Sequence, residues 1–230
     1  MLVIVIAGGT KPVYTALRGF WRLIRDKAAV DGVVVYLVGY DPSLTTPRLH
    51  KGTLVFPGTD SLIPGVLLET LDAVEYIYHN KLPGHDAKHV LRTNLSSFWN
   101  FRGLLNWLAH KPTSNYVAAF IGVLKGTEFP AGNGYVLSKD LWLWILDNRG
   151  KLPQHIIDDV AVGQLLAKKS LRINPMARQD FTDPAEVPHE FSQDYFFWRV
   201  KSNIQTQDIA IFSSLFFFWY GPATQLVVDS

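Results

Sequence analysis

The sequence contains no cysteine, and this absence excludes both a disulfide framework and a metal site built on thiolates. Long apolar runs are also missing, since no stretch approaches the ~20 consecutive apolar residues that a membrane span requires. The apolar start from Met1 to Ile6 carries neither the basic residues nor the small-residue cleavage site of a signal peptide. We therefore expect a soluble protein without a transmembrane segment, located in the cytoplasm.

An excess of charge of one sign is missing as well. The formal net charge is +2, and the 22 Lys and Arg residues form no long basic run, so nucleic acid is not the expected partner. Apolar residues make up 48% of the chain and charged residues 18%, which is typical of a globular protein. At 230 residues, the chain fits a single domain spanning residues 1–230.

Strand-like and helix-like segments alternate along the chain. A β-branched run from Leu2 to Ile6 predicts a fully buried strand, and it is followed by a helix over Pro12–Asp26 and a second strand over Val33–Val38. This order requires a crossover connection, which favours a parallel sheet. Further strands are predicted at 54–56, 90–91 and 116–124, and further helical segments at 64–79, 98–108, 138–148, 157–169 and 208–215.

Polar residues follow several of these strands, at the ends where open α/β sheets bind ligands. Gly8 and Thr10 could place backbone N–H groups against a phosphate, although two adjacent glycines are also common in an ordinary tight turn. Asp41 could accept a hydrogen bond from a ribose or a base, or simply open a turn. The polar turn from Arg92 to Ser97 could hold an anion or a sugar, or its Thr93, Asn94 and Ser96 could serve only as turn residues.

Three separated segments resemble one known family, in the same order along the chain. The segment 92–100, RTNLSSFWN, resembles the Lys-Thr-Asp-Asp-Asp-x-Phe-x-Asn motif of the beta-1,3-galactosyltransferase and fringe-like glycosyltransferases. The segment 129–138, FPAGNGYVLS, is similar to their Tyr-Pro-x-x-x-Gly-x-Gly-Tyr-x-x-Ser motif with one residue fewer, and 157–163, IDDVAVG, to their Glu-Asp-Val-x-x-Gly. The segment Leu67–Leu71 is a weaker match to the Leu-Lys-Thr motif of this family. The resemblance covers about half of the chain, roughly residues 60–170.

The resemblance implies a GT-A fold, with a mostly parallel central sheet flanked by helices. It also implies a nucleotide-diphosphate sugar donor, inversion at the anomeric carbon and usually a divalent metal ion. The chain departs from the family pattern where Asn94, Leu95 and Ser96 replace carboxylates. Because Mg²⁺ and Mn²⁺ prefer carboxylate ligands, we expect a weakly bound Mn²⁺ or Mg²⁺ or metal-independent action. Weak candidate ligands are Asn94, Ser96 and His189, the last of which is also readily explained as a surface histidine.

An inverting transfer needs a carboxylate that takes the proton from the acceptor hydroxyl. The resemblance assigns this role to Asp159, with Asp158 as second choice, although acids before an apolar helix are also common N-caps. Gly132, Asn133 and Gly134 could let the backbone approach a sugar closely, or could form a hairpin turn. Trp142 and Trp144 could stack on sugars, but helical spacing favours core positions. For Phe216–Tyr220 a buried C-terminal strand is the simplest interpretation.

Together these observations predict an inverting glycosyltransferase that moves a sugar from a nucleotide donor, with a UDP-sugar favoured, to a glycan hydroxyl. Residues of about 1–100 would bind the donor through Gly8, Thr10, Asp41, Arg92, Thr93, Asn94 and Ser96, and about 101–230 would receive the acceptor. One alternative is a non-catalytic GT-A-like module that binds a nucleotide or a glycan. A second is a nucleotidyltransferase, which the missing carboxylates disfavour.

Overall fold

The computed structural model describes residues 1–192 and 194–221 and shows an α/β domain built on a mixed central sheet. The strands in chain order are β1 (Leu2–Ile6), β2 (Val34–Asp41), β3 (Arg48–His50), β4 (Thr53–Pro57), β5 (His89–Asn94), β6 (Ser97–Trp99), β7 (Val117–Leu124), β8 (Thr127–Ser138), β9 (Asn174–Pro175), β10 (Gln179–Phe181) and β11 (Phe197–Val200). The helices are α1 (Pro12–Ala28), α2 (Gly65–His79), α3 (Phe101–Leu108), α4 (Lys139–Asp147), α5 (Asp158–Lys168) and α6 (Gln205–Tyr220).

The central sheet has the order β3-β4-β2-β1-β5-β8-β7-β9. Its centre, β4-β2-β1-β5, is parallel, as the β-α-β pattern predicts, whereas β3 and β8 pair antiparallel with their neighbours β4 and β5. A smaller sheet of β10-β11-β6 lies beside it. Because β1 and β5 are adjacent and parallel, the segments that follow Ile6 and Asn94 meet at one edge of the sheet.

Two apolar cores cover the two faces of the central sheet, since successive side chains of a strand point to opposite faces. Val3 and Val5 of β1 face a core that contains α1, α3 and α6, while Leu2, Ile4 and Ile6 face a core with α2, α4 and α5. Helix α1 packs against its core through one apolar face, because its buried residues recur every three or four positions: Val13, Leu17, Trp21, Ile24 and Ala28. Pro12 at its first turn and basic residues in its last turn suit the helix ends.

The predicted strands and helices occur in the expected order, but strands β3, β6 and β8–β11 were not predicted, and several local interpretations were wrong. Residues 92–94 belong to β5, so only Leu95 and Ser96 turn the chain before β6; pairing with β1 extends the strand. The segment 216–220 continues helix α6 and is not a strand, because Phe212, Leu215 and Phe216 pack at helical spacing against the first core. Gly132–Gly134 lie inside β8, and the hairpin turns instead at Lys125–Gly126.

Within the described ranges 1–192 and 194–221, no helix has both the length and the apolar character needed to span a bilayer. Trp142 is fully buried and stacks on Tyr135 with ring centroids 6.0 Å apart, which confirms its expected place in the core.

Candidate functional site

A cleft opens at the carboxyl ends of β1 and β5 and divides into two adjoining cavities. The first, of about 450 Å³, lies between the segment after β1, the segment before α2 and the turn after β5. The second, of about 690 Å³, extends from that turn to the start of α5 and to the strand β11. Asn94 and Ser96 line both cavities, and Asp158 and Asp159 line the second. The polar turn and the acidic helix start therefore face one cleft.

Gly132 of β8 connects these two groups of residues. Its N–H donates to Asp159 Oδ2 at 2.8 Å, and its carbonyl accepts from Arg92 Nη1 and, at 3.5 Å, from Asn94 Nδ2. A Cβ atom at this position would lie 3.0 Å from Asp159 Oδ2, which is closer than side chains normally approach. Glycine therefore lets β8 bring the turn after β5 and the start of α5 together.

Arg92 and Asp158 form a buried ion pair below the cleft. Arg92 Nη2 lies 2.6 Å from Asp158 Oδ2, with side-chain exposures of 3% and 10%. Burial alone lowers the pKa of the Arg92 guanidinium, but Asp158 and neighbouring acidic groups raise that pKa above its ordinary value. The Arg92 guanidinium binds Asp158 and the Gly132 carbonyl, so its interactions are with the protein itself. Asp158, held by Arg92, is a poor candidate for proton transfer.

Asp159 is the second residue of α5, in its first turn, and its side chain points toward Gly132. Ile157 is the N-cap residue of this helix, so neither acid caps it, but both acids lie in its first turn, where they interact favourably with the helix dipole as the alternative interpretation also expected. Asp159 Oδ1 accepts from the N–H of Val160 at 2.8 Å. Burial and the neighbouring Asp158 charge raise the pKa of Asp159, although the hydrogen bonds from Gly132 and Val160 oppose this shift. A half-buried carboxylate with a raised pKa at the edge of a cleft is suited to take up a proton.

The turn after β5 is held together by its own side chains. Ser96 Oγ and Ser97 Oγ both donate to Asn94 Oδ1, at 3.1 and 2.9 Å, and Thr93 Oγ1 donates to the carbonyl of Asn133 at 2.8 Å. The side-chain oxygens of this turn that could bind a cation are thus neutral, and Asn94 Oδ1 already accepts two hydrogen bonds. Among residues 1–192 and 194–221, no three His, Cys, Asp or Glu side chains are grouped to hold a metal ion. These residues do not fit a site for a hard divalent cation.

A basic wall, which the sequence did not reveal, lines the second cavity together with the acidic helix start. It consists of Lys11, Arg178, Arg199 and Lys201. Asp180 binds Arg178 Nη2 at 2.9 Å and Arg199 Nη1 at 3.3 Å, so one carboxylate neutralises part of this charge. Asp208, also at this cavity, accepts from the N–H of Ser202 at 2.6 Å. Strand β11 supplies Arg199 and is distant in sequence from the strands of the predicted donor half, which explains why sequence spacing did not point to it.

The first cavity has the opposite character. Its ionisable acids are Asp60 and Glu69, and no lysine or arginine of the described residues lines it. Asp60 Oδ2 accepts from the N–H of Gly9 at 2.9 Å, so this amide is already engaged and a carboxylate stands where a phosphate was expected. Glu69 is only 2% exposed. Both acids were missed, although a glutamate among the apolar residues of the predicted 64–79 helix was a visible signal.

Several predicted residues lie outside the two cavities. Thr10 and His189 are exposed, and Asp41 accepts instead from the Oγ of Ser43 at 2.6 Å. Gly134 packs below Trp99, where a Cβ atom would lie 2.3 Å from Cζ2 of that ring. Of the predicted acceptor group, Gly132 and Asn133 line the second cavity.

No protein-family model matches this chain, and no curated protein is similar enough in sequence to count as a match. Solved structures do resemble it. A glycosyltransferase involved in the glycosylation of the major capsid of PBCV-1 superposes with a TM-score of 0.52 and 10% identity, over 93% of this chain and 98% of that one. The galactosyltransferase LgtC, solved with donor and acceptor sugar analogues, gives 0.49 and 11% over 94% and 95%. The first likeness and the sheet topology together confirm the predicted GT-A fold for this chain.

Proposed function

We propose that this protein is an inverting glycosyltransferase that moves a sugar from a nucleotide-diphosphate donor to a hydroxyl group of a glycan. The observation that carries this proposal is the cleft itself. A half-buried carboxylate, Asp159, and a basic wall share one cavity at the carboxyl ends of the parallel strands. The fold shared with the PBCV-1 glycosyltransferase supports sugar transfer as the reaction to test.

The diphosphate of the donor belongs in the second cavity, against the basic wall. Lys11 and Lys201 are exposed at its rim, while Arg178 and Arg199 are partly buried and held by Asp180. Negative charge develops on the departing diphosphate as the glycosidic bond to phosphate breaks, and preorganised cations stabilise this charge. The first cavity, where Asp60 carries the negative charge, would repel phosphate and accept the uncharged part of the donor. Charge thus orients the donor along the cleft.

Asp159 acts as the general base in this scheme. The acceptor oxygen forms a bond to the anomeric carbon, the bond from that carbon to the phosphate oxygen breaks on the opposite face, and the acceptor proton passes to Asp159. The raised pKa of Asp159 makes its carboxylate a better proton acceptor than an exposed aspartate. Arg92 and Asp158 serve as a support that positions Asp159 through Gly132.

The basic wall is proposed to balance the charge of the diphosphate in place of a tightly held metal ion, because Asn94 and Ser96 do not offer a charged ligand set. Mn²⁺ or Mg²⁺ would have to be held mainly by the donor's own diphosphate. A UDP-sugar is the first donor to test. The replaced carboxylates also favour a second candidate function, a module that binds a nucleotide without turnover.

Thermal unfolding with a panel of nucleoside diphosphates and their sugars, with and without Mn²⁺, tests the proposal. Ligand at a hundredfold excess over its Kd adds about 2.7 kcal/mol to the free energy of unfolding. Stabilisation accompanied by sugar transfer or slow donor hydrolysis supports an enzyme, whereas stabilisation without either supports the binding module. If no nucleotide stabilises the protein, both functions are wrong.

Variants of the basic wall locate the diphosphate. We expect Lys201→Ala and Arg199→Ala each to weaken nucleoside diphosphate binding several-fold, with a loss that shrinks at high ionic strength as screening increases. Lys27→Ala is the matched control, because Lys27 is an exposed cation on α1 that lines neither cavity. Equal binding by all three variants would exclude the basic wall as the diphosphate site.

A further inference from the structure

Glu69 is a buried carboxyl group for which the described residues provide no hydrogen-bond donor. It lies on α2 with an exposure of 2%, and its Oε1 atom is enclosed without a hydrogen-bond partner. No hydrogen bond or ion pair to either of its oxygens occurs among residues 1–192 and 194–221. Burying a polar group without a hydrogen bond is unfavourable, so an unsatisfied carboxyl group requires an explanation.

Packing does not provide that explanation. On α2 the residues one turn from Glu69 are Gly65, Val66, Asp72 and Ala73, and the Asp72 carboxylate is bound to Arg149 and Tyr40, so this face of the helix offers Glu69 no side-chain donor. The nearest strong cation, Arg92, is held by Asp158 at 2.6 Å. Glu69 therefore stabilises neither the helix nor an ion pair.

The position of Glu69 indicates what its carboxyl group faces. It lines the first cavity together with Asp60, Asn94 and the backbone of Gly8 and Gly9. Oε1 is enclosed near Gly39 of β2, so Oε2 is the atom through which the carboxyl group can reach a ligand in the cavity. No lysine or arginine of the described residues lines this cavity, and Arg18, which lies within Coulombic range of Asp60, is held by the carbonyls of Ala7 and Gly9 at 3.0 and 2.9 Å. A phosphate is therefore disfavoured there. A cavity of about 450 Å³ has room for a sugar or a nucleoside, and both carry hydroxyl groups that hydrogen-bond to a carboxyl group.

We infer that Glu69 is a specificity-determining residue of the donor site, whose carboxyl group hydrogen-bonds to a hydroxyl group of the bound nucleotide sugar in the first cavity. This inference rests on the proposed function, since it names the contact that fixes the uncharged part of the donor. The hydroxyl group belongs either to the ribose or to the transferred sugar. Burial and the nearby Asp60 and Asp158 charges raise the pKa of Glu69 well above its ordinary value. A neutral carboxyl group can both donate to and accept from a hydroxyl.

Two variants separate this role from a structural one. Glu69→Leu replaces the carboxyl group with an apolar side chain of similar size and so removes hydrogen bonding. Glu69→Gln keeps a neutral hydrogen-bond donor and acceptor. Both folded variants and the wild type are titrated with UDP and with UDP-glucose at neutral pH, and thermal midpoints are recorded. We expect Glu69→Leu to unfold at a temperature no lower than the wild type, because an unsatisfied polar group has been removed.

We expect Glu69→Leu to bind UDP-glucose about tenfold more weakly, and Glu69→Gln to bind it within about threefold of the wild type. If Glu69→Leu binds UDP as well as the wild type, the hydroxyl group belongs to the transferred sugar; an equal loss for both probes assigns it to the ribose. Unchanged binding of both probes by Glu69→Leu overturns the inference and leaves the proposed function intact. A Glu69→Gln variant as weak as Glu69→Leu also overturns it, because glutamine keeps a hydrogen-bond donor and acceptor at this position. If the wild type binds no nucleotide of the panel, the proposed function and the inference fall together.

Discussion

The buried pair of Arg92 and Asp158 permits a quantitative test of how the site is held together. At an effective dielectric constant of about 20, unit charges on atoms 2.6 Å apart attract one another by roughly 6 kcal/mol. Desolvation of both groups offsets much of this attraction. Removing one partner nevertheless leaves the other charge buried, which costs about 3–5 kcal/mol in comparable pairs. We expect losses of this size for Asp158→Asn and for Arg92→Met.

The assay is urea unfolding of the wild type, the two single variants and the double variant Arg92→Met/Asp158→Asn. The double variant buries no charge at this position, so we expect it to lose less stability than the sum of the single losses, by at least about 2 kcal/mol. Arg149 and Asp72 provide a matched control pair, because their Nη2 and Oδ1 atoms also lie 2.6 Å apart but the side chains are 35% and 27% exposed. Their coupling should be only about 0.2–1 kcal/mol. Additive losses at Arg92 and Asp158 would refute the reasoning that burial makes this pair strong.

Three further outcomes follow from the structure. Because the folded-state pKa of Glu69 is raised, the wild type should lose stability relative to Glu69→Gln as pH rises above about 4.5, by up to about 1.4 kcal/mol per pH unit until the folded-state pKa is reached. Urea unfolding at several pH values measures this difference in stability. A difference that does not change with pH would contradict the prediction. Gly134→Ala should destabilise the protein by about 1–3 kcal/mol, because its Cβ would meet the Trp99 ring, whereas Gly19→Ala in open space on α1 should be neutral or stabilising; equal effects would refute the steric argument. Tyr220→Phe should cost about 1 kcal/mol or more, because the Tyr220 hydroxyl donates to the Trp99 carbonyl at 2.7 Å and accepts from the Phe101 N–H, and an unchanged thermal midpoint would exclude this contribution.

The fold was predictable from the sequence because its strands and helices have clear periodicity. The buried run Leu2–Ile6 and the spacing of Val13, Leu17, Trp21 and Ile24 establish the first β-α unit without any tertiary information. The segment 216–220 was misjudged because consecutive aromatic residues have no helical period of their own. Its helical state depends on the packing of Phe212 and Phe216 against Phe20, a contact that joins distant parts of the chain.

The candidate site was only partly predictable. The segments at 92–96, 132–133 and 158–159 could be found because the family resemblance marks them, and the structure brings them to one cleft. The role of each side chain could not be predicted, because the pairing of Arg92 with Asp158 depends on their burial in the folded protein and not on any local motif. Asp60 comes from a loop, Glu69 from α2, and the basic wall from segments as far apart as Lys11 and Lys201, and only the folded sheet brings them to the cleft.

The most direct test of the account is the rate of sugar transfer by Asp159→Asn at a donor concentration that saturates both the variant and the wild type. Because a positioned general base contributes about 10²–10⁴-fold, we expect the rate to fall by at least about a hundredfold, with nucleoside diphosphate affinity and thermal midpoint nearly unchanged. Asp26→Asn, an exposed aspartate on α1 outside the cleft, should transfer at the wild-type rate. Transfer by Asp159→Asn at the wild-type rate would contradict the assignment of Asp159 as the base that the cleft is built around.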